Sequence, residues 1–151
     1  MPSSHPKTGI IVVDHGSRLE ASNRMLHEAT QNFAAQSDFD IVEPAHMELA
    51  QPDIAAAFRK CVDRGAQRVV VFPYFLSPGR HWSEDIPRLA AEAAQPFSDV
   101  EWVVTAPFGL HPDMCGIIED RIQRCVAVAE AKEPAECDVC GDGQSCQWSR
   151  A

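Results

Sequence analysis

Two histidines follow two apolar runs in this 151-residue chain. Ile10-Ile11-Val12-Val13 leads into Asp14-His15-Gly16-Ser17-Arg18, and Val69-Val70-Val71-Phe72-Pro73-Tyr74-Phe75 leads through Leu76-Ser77-Pro78-Gly79-Arg80 to His81. Imidazole is a base with an ordinary pKa near neutrality and a good ligand for late first-row divalent ions. Two neutral imidazoles leave coordination positions open for a substrate, which suits a catalytic metal site better than a closed structural one. Taken singly, each histidine reads equally well as a loop residue near a helix start; the pair carries more information than either member. Glu48 and Gln51 follow a third apolar segment. Glu48 is a candidate carboxylate for metal delivery or proton uptake, the plain alternative being a solvated carboxylate beside a helix start. Arg18 and Arg80 flank the two histidines. Arginine pairs bidentately with carboxylates, so the two point to a ligand that carries them, unless they are surface residues without a role.

The elements that must position these residues alternate. Gly9–Val13 reads as a strand. Leu19 to Ala35 follows with Leu19, Met25, Leu26, Ala29 and Phe33 at helical spacing. Asp40–Met47 reads as a second strand, and Pro44 places it at an edge or a bulge. Gln51-Pro52-Asp53 opens a helix with Ile54, Ala57, Phe58, Cys61 and Val62 as its apolar stripe, ended by Gly65. The Val69–Phe75 run is the third strand, followed by a helix over about Ser83–Ala94. Val100–Thr105 is the fourth strand, and a last helix runs from about Pro112 to Ala131. Strand-helix alternation with short loops predicts an α/β fold: a four-stranded parallel sheet covered by helices on both faces. The C-terminal ends of parallel strands share one edge, where open α/β sheets bind ligands, so His15 and His81 converge there. Residues 1–8 read as a disordered lead, 9–131 as one domain and 132–151 as a Cys-rich tail.

The composition sets bounds. Hydrophobic residues make up 45% and charged residues 23%, an ordinary globular mix, with a formal net charge of -9. That charge argues against a nucleic-acid backbone or an anionic membrane as partner. No apolar run approaches the ~20 residues of a membrane helix, and the N-terminus lacks the apolar core of a signal peptide. The expected location is cytoplasmic. The chain has no Gly-rich dinucleotide fingerprint, no phosphate-binding loop and no nucleophile elbow. His15-Gly16 also calls for comparison with phosphohistidine enzymes, but those carry Arg before the histidine where this chain has Asp14.

Three segments in order carry a resemblance: Asp14-His15-Gly16-Ser17-Arg18; His46-Met47-Glu48-Leu49-Ala50-Gln51-Pro52; and Val71 to His81 with Asp85-Ile86-Pro87. Over roughly Gly9 to Arg124 the chain resembles the small sirohydrochlorin chelatases, the short class II tetrapyrrole chelatases. The resemblance implies a chelatase-type α/β fold, a flavodoxin-like half, often as a homodimer. It implies ATP-independent insertion of Fe²⁺ or Co²⁺ into sirohydrochlorin, towards siroheme or cobalamin. It makes His15 a proton acceptor and metal ligand and His81 a metal ligand, with Leu76, Ser77, Pro78, Gly79, Arg80 and His81 against the macrocycle. A further substrate-contacting position, often Glu in the family, is Gln51 here. A rival reading is a non-catalytic metal-binding or metallochaperone module that uses the same histidines.

The tail is a second chemical unit. Cys137-Asp138-Val139-Cys140 and Cys146, separated by a Gly-rich turn, have the spacing of soft-metal ligands. Three thiols need a fourth ligand, from Cys115, Cys125 or a second subunit. The tail resembles the C-terminal extension of plant-type sirohydrochlorin ferrochelatases, which implies a [2Fe-2S] cluster; zinc, or an unmetallated redox pair, are the alternatives.

Overall fold

The computed structural model describes residues 5–143 together with Cys146 and Gln147. Of the expected lead and tail, residues 1–4, 144, 145 and 148–151 lie outside the described residues. The alternation takes the form β1 (Thr8–Asp14), α1 (Glu20–Gln36), β2 (Ile41–His46), α2 (Ile54–Asp63), β3 (Arg68–Pro73), α3 (Ile86–Ala94), β4 (Glu101–Val104) and α4 (Asp113–Ala131). The strands are parallel in the order β2-β1-β3-β4. The chain leaves β1 towards one edge to make β2, then returns to β3 on the other side. The β1/β3 boundary is therefore the switch point of the sheet, where the outgoing loops diverge and open a crevice.

The described residues fall into two compact units, one ending at Gly109 and one starting at Leu110. In the first, the period of two along the strands sorts side chains between faces. Ile11, Val13, Ile41, Ala45, Val69 and Val71 meet Ile54, Ala57, Phe58 and Cys61 of α2 and Ile86 and Ala90 of α3, each 2% exposed or less. Ile10 and Val12 point the other way, against Leu26 of α1. Burial among these groups pushes the Cys61 thiol up to about 12. Pro44 sits on β2, an edge strand, where a missing backbone donor is tolerated.

Several boundaries differ from the sequence reading. Lys7 and Thr8, expected in a disordered lead, are tied down: Gln67 and Arg68 N–H both donate to the Lys7 carbonyl, and Thr8 begins β1. α2 starts after Asp53, whose Oδ1 accepts from Ala56 N at 2.8 Å, so Gln51 and Pro52 belong to the preceding loop. Helical structure after β3 begins at His81, not Ser83, with a π-helical turn over His81–Asp85 that runs straight into α3. Among the described residues no helix is long and apolar enough to cross a membrane.

In the second unit α4 is followed by Lys132 in the left-handed region and then the cysteine tail. Arg121 of α4 holds Asp138 with two hydrogen bonds of 2.6 Å. The Arg121 guanidinium in turn keeps the Asp138 carboxyl below the ordinary carboxylate range.

Candidate functional site

The site is assembled at the ends of β1, β2 and β3. Past the sheet, β1 and β2 continue to pair: Met47 N–H donates to the Asp14 carbonyl at 2.9 Å and Glu48 N–H to the His15 carbonyl at 3.1 Å. Gly16 makes this approach possible. Its φ is +89°, and a Cβ there would stand 1.9 Å from the Glu48 carbonyl oxygen. Only glycine combines that backbone with that contact. The side chains of the two strand ends then meet, with His15 Nε2 2.8 Å from Glu48 Oε1.

His81 arrives from the β3 side of the switch point. Its ring centroid lies 5.0 Å from that of His15, edge to face. Its Nδ1 is 2.8 Å from Asp85 Oδ2, one helical turn on. An ionised carboxylate only accepts, so a neutral His81 donates from Nδ1 and keeps Nε2 as a lone pair for a metal or a proton. His15 and His81 are both substantially exposed, at 38% and 52% of the side chain, so the pair is open to a ligand from solvent. Leu76, Ser77, Pro78, Gly79 and Arg80 are all exposed beside His81. Leu76 itself is bound through its carbonyl to Gly109 N–H at 2.8 Å, and Phe108 N–H donates to the Phe75 carbonyl, so the loop is braced at its base. Trp82 Nε1 donates to the Thr105 carbonyl at 2.8 Å.

Arg18 and Gln51 are grouped with a different imidazole, that of His27. They line a neighbouring cleft of about 250 Å³ with Arg24, His27, Leu49 and Ala50. Arg80 is 87% exposed and leans towards Glu84 at 3.5 Å. Arg24 was missed by sequence reasoning, since one polar residue on a long amphipathic helix carries no signal of its own. Also missed were Asp85, Asp14, His46 and His27. Asp14 and His46 end paired strands and face each other in register, a relation visible only once the strand order is known.

In the tail, Cys137 N–H and the Gly141 carbonyl pair at 2.9 Å and Gly141 N–H returns to the Cys137 carbonyl at 3.0 Å, making a tight turn. Cys140 N–H donates to Cys137 Sγ at 3.0 Å. Backbone hydrogen bonds from Cys140 and Val139 lower the Cys137 thiol from its ordinary value. The Cys140 thiol, hydrogen-bonded to Cys137 and partly desolvated beside Cys146, is raised to about 11. Cys137, Cys140 and Cys146 line one cavity of about 390 Å³ with Cys125 of α4, while Cys115 lines a different one. Among the described residues no group of three or more His, Cys, Asp or Glu side chains converges closely enough to hold a metal ion as it stands.

With this geometry in hand, the chain was compared with known proteins. It is 50% identical over 139 residues to "Sirohydrochlorin ferrochelatase, chloroplastic" of Arabidopsis thaliana, covering 92% of this chain and 61% of that protein. It is 40% identical over 80 residues to a sirohydrochlorin cobaltochelatase of Methanococcus maripaludis, covering 53% of this chain and 56% of the other. The chain thus spans little more than half the length of these curated relatives. Among solved structures, the sirohydrochlorin chelatase SirB from Bacillus subtilis subspecies spizizenii in complex with cobalt superposes with a TM-score of 0.72 at 27% identity, over 78% of this chain and 50% of that one. The family model described as CbiX matches residues 9–125, a span that holds both histidines and all of the four strands except Thr8 at the start of β1. The chain belongs to the CbiX family.

Proposed function

We propose that the protein inserts Fe²⁺ or Co²⁺ into sirohydrochlorin without ATP, on the route to siroheme or cobalamin. The observation that carries this reading is the meeting of His15, Glu48 and His81 across the switch point, with imidazole centroids 5.0 Å apart and Glu48 Oε1 2.8 Å from His15 Nε2. Metallation of a tetrapyrrole replaces two pyrrole N–H protons with one divalent ion. A site for it needs ligands that hold the metal weakly and bases that work near neutral pH, and imidazole serves both needs. Before metal binds, the Glu48 carboxylate accepts from His15 Nε2–H; with that ring's proton on Nδ1 instead, 3.1 Å from the Gly16 carbonyl, His15 Nε2 joins His81 Nε2, oriented through Asp85, in presenting the metal to one face of the ring. As the metal passes to the ring, one displaced pyrrole proton goes to His15 Nε2 and the other to Glu48 Oε1, 2.8 Å from it. Leu76, Ser77, Pro78 and Gly79 give the macrocycle an exposed surface to lie on, and Arg18, Arg24 and Arg80 with Gln51 bind its eight carboxylates. The names of the plant and archaeal relatives support the reaction, and the cobalt complex of SirB supports the metal.

Two further features belong to this reading. The first is a homodimer, on the strength of the family resemblance, and sedimentation equilibrium tests it. The cysteine tail holds a soft-metal group, [2Fe-2S] or zinc, through Cys137, Cys140, Cys146 and Cys125. The support is their shared cavity and the backbone N–H donated to the Cys137 sulfur. A bound [2Fe-2S] cluster would supply one-electron chemistry; iron and sulfide analysis of anaerobically purified protein separates it from zinc. Closely spaced free thiols fit a reducing compartment, the cytoplasm in our reading.

The reaction is tested by anaerobic incubation of the purified protein with sirohydrochlorin and either Fe²⁺ or Co²⁺, following the macrocycle absorption. Insertion above the uncatalysed rate is expected with at least one metal. Metal binding with no acceleration, and no quenching of Trp82 fluorescence by sirohydrochlorin, would leave a metal-binding module instead.

A further inference from the structure

His46 takes no part in the chemistry proposed above, yet it is buried and bonded at both ring nitrogens. It ends β2, faces Asp14 at the end of β1, and is fully buried. A buried imidazole must have both nitrogens satisfied or destabilise the fold. Here both are. Nδ1 is 2.6 Å from Asp14 Oδ1 and Nε2 is 3.1 Å from His27 Nε2. The Asp14 carboxylate can only accept, so His46 Nδ1 donates to it; in the neutral ring Nε2 is then the acceptor, and His27 donates from its own Nε2. The chain of bonds fixes the tautomer of both rings.

The same Asp14 oxygen also accepts from Gly16 N–H at 2.9 Å. One carboxylate oxygen therefore joins the buried ring of β2 to the backbone turn that carries His15. The His46 Cβ also sits against Gly16, 3.1 Å from where a Cβ would be. Two residues further along β2's exit, Glu48 N–H is bonded to the His15 carbonyl and its carboxylate to the His15 ring.

We infer that His46 is a positioning residue: held between Asp14 and His27, its ring sets the His15–Gly16 turn against the Glu48 backbone and so fixes His15 Nε2 beside Glu48 Oε1. Its own nitrogens touch neither metal nor macrocycle; it acts through Asp14. A ring that only filled core volume would need no Nδ1–H donor, and this gives the test.

The inference rests on the chelatase reading for its kinetic arm, so a second arm is independent of it. His46→Asn places an amide N–H where Nδ1 stands and keeps the bond to Asp14. His46→Gln places its amide near Nε2 and leaves Asp14 without its donor. For each, we would measure thermal unfolding, Co²⁺ affinity by visible absorption, and kcat and KM for insertion into sirohydrochlorin. The expected result is that His46→Asn stays within a few-fold of wild type. His46→Gln loses kcat on the order of 10²-fold, as a misplacement near 1 Å can cause, and loses Co²⁺ affinity, with KM for the tetrapyrrole little changed. Equal kcat and Co²⁺ affinity in the two variants, or losses that simply follow the melting temperature, would overturn the inference. If wild type inserts no metal, the chelatase reading fails while the Co²⁺ comparison still decides the role of His46. If neither variant folds, ¹⁵N-labelled wild type decides: a proton on His46 Nδ1 and none on Nε2 is expected, and the reverse tautomer overturns the inference.

Discussion

Replacing Gly16 by alanine tests whether the β1 and β2 exits must touch for the site to exist. The new Cβ would start 1.9 Å from the Glu48 carbonyl oxygen, and real Cβ contacts do not fall below 3.0 Å, so the Glu48 backbone must retreat by about 1 Å. The φ of +89° adds backbone strain of roughly 1–3 kcal/mol for a residue with a Cβ. Loss of the Glu48 N–H to His15 carbonyl bond costs about 1 kcal/mol more. The sum is about 2–4 kcal/mol, a large share of the ~5–15 kcal/mol that holds a domain together. The protein should therefore still fold, at a lower urea midpoint. Because the shift separates Glu48 Oε1 from His15 Nε2, insertion should fall on the order of 10²-fold in kcat. Gly116→Ala is the control. It lies within α4 with nothing within 4 Å of a new Cβ, so it should gain roughly 0.5–1 kcal/mol. A Gly16→Ala protein within about 0.5 kcal/mol of wild type and with unchanged kcat would refute the argument.

Three further outcomes follow from other contacts. Asp85→Ala frees His81 Nδ1 and should weaken Co²⁺ binding on the order of 10-fold with little change in melting, since Asp85 is 35% exposed; unchanged affinity in a Co²⁺ titration would count against His81 as a ligand. Glu43 is 6% exposed and held by Lys60 at 3.0 Å and Arg64 at 2.8 Å. Arg64→Leu should leave it half-compensated and cost about 2 kcal/mol in urea unfolding, and a cost near zero would show the pair is solvent-screened. Cys61 is raised from 9.0 to about 12 in the fold. Below about pH 9 the thiol is neutral folded or unfolded, and its contribution is complete. Between pH 9 and 12 only the unfolded chain ionises, so stability should fall by about 1.4 kcal/mol per unit. That slope should flatten in Cys61→Ala, and an identical alkaline profile in the two proteins would contradict the assignment.

Much of this arrangement was legible in the residues. The apolar runs at Ile10–Val13 and Val69–Phe75 read as strands and are the two central ones, and of the edge or bulge that Pro44 signalled the sheet shows the edge, where a missing backbone donor is tolerated. The convergence of His15 and His81 followed from parallel strands sharing one edge. The role of Gly16 did not, because it depends on how closely the Glu48 carbonyl approaches. Nor did the Asp14–His46–His27 chain, which joins residues 32 and 19 positions apart through strand register and one face of α1. Asp85 was read as part of a helix start. It is a partner for His81 because helical structure begins two residues earlier than the Ser83 signal suggested, which puts the pair one turn apart.

The most direct test of the central claim is anaerobic metal insertion into sirohydrochlorin by wild type, His15→Ala and His81→Ala, with Fe²⁺ or Co²⁺ held below saturation. The account predicts insertion by wild type and loss of it towards the uncatalysed rate in both variants, each still folded. Full insertion rates in either variant would contradict the claim that the two imidazoles facing each other across the β1/β3 switch point carry the metal and the proton.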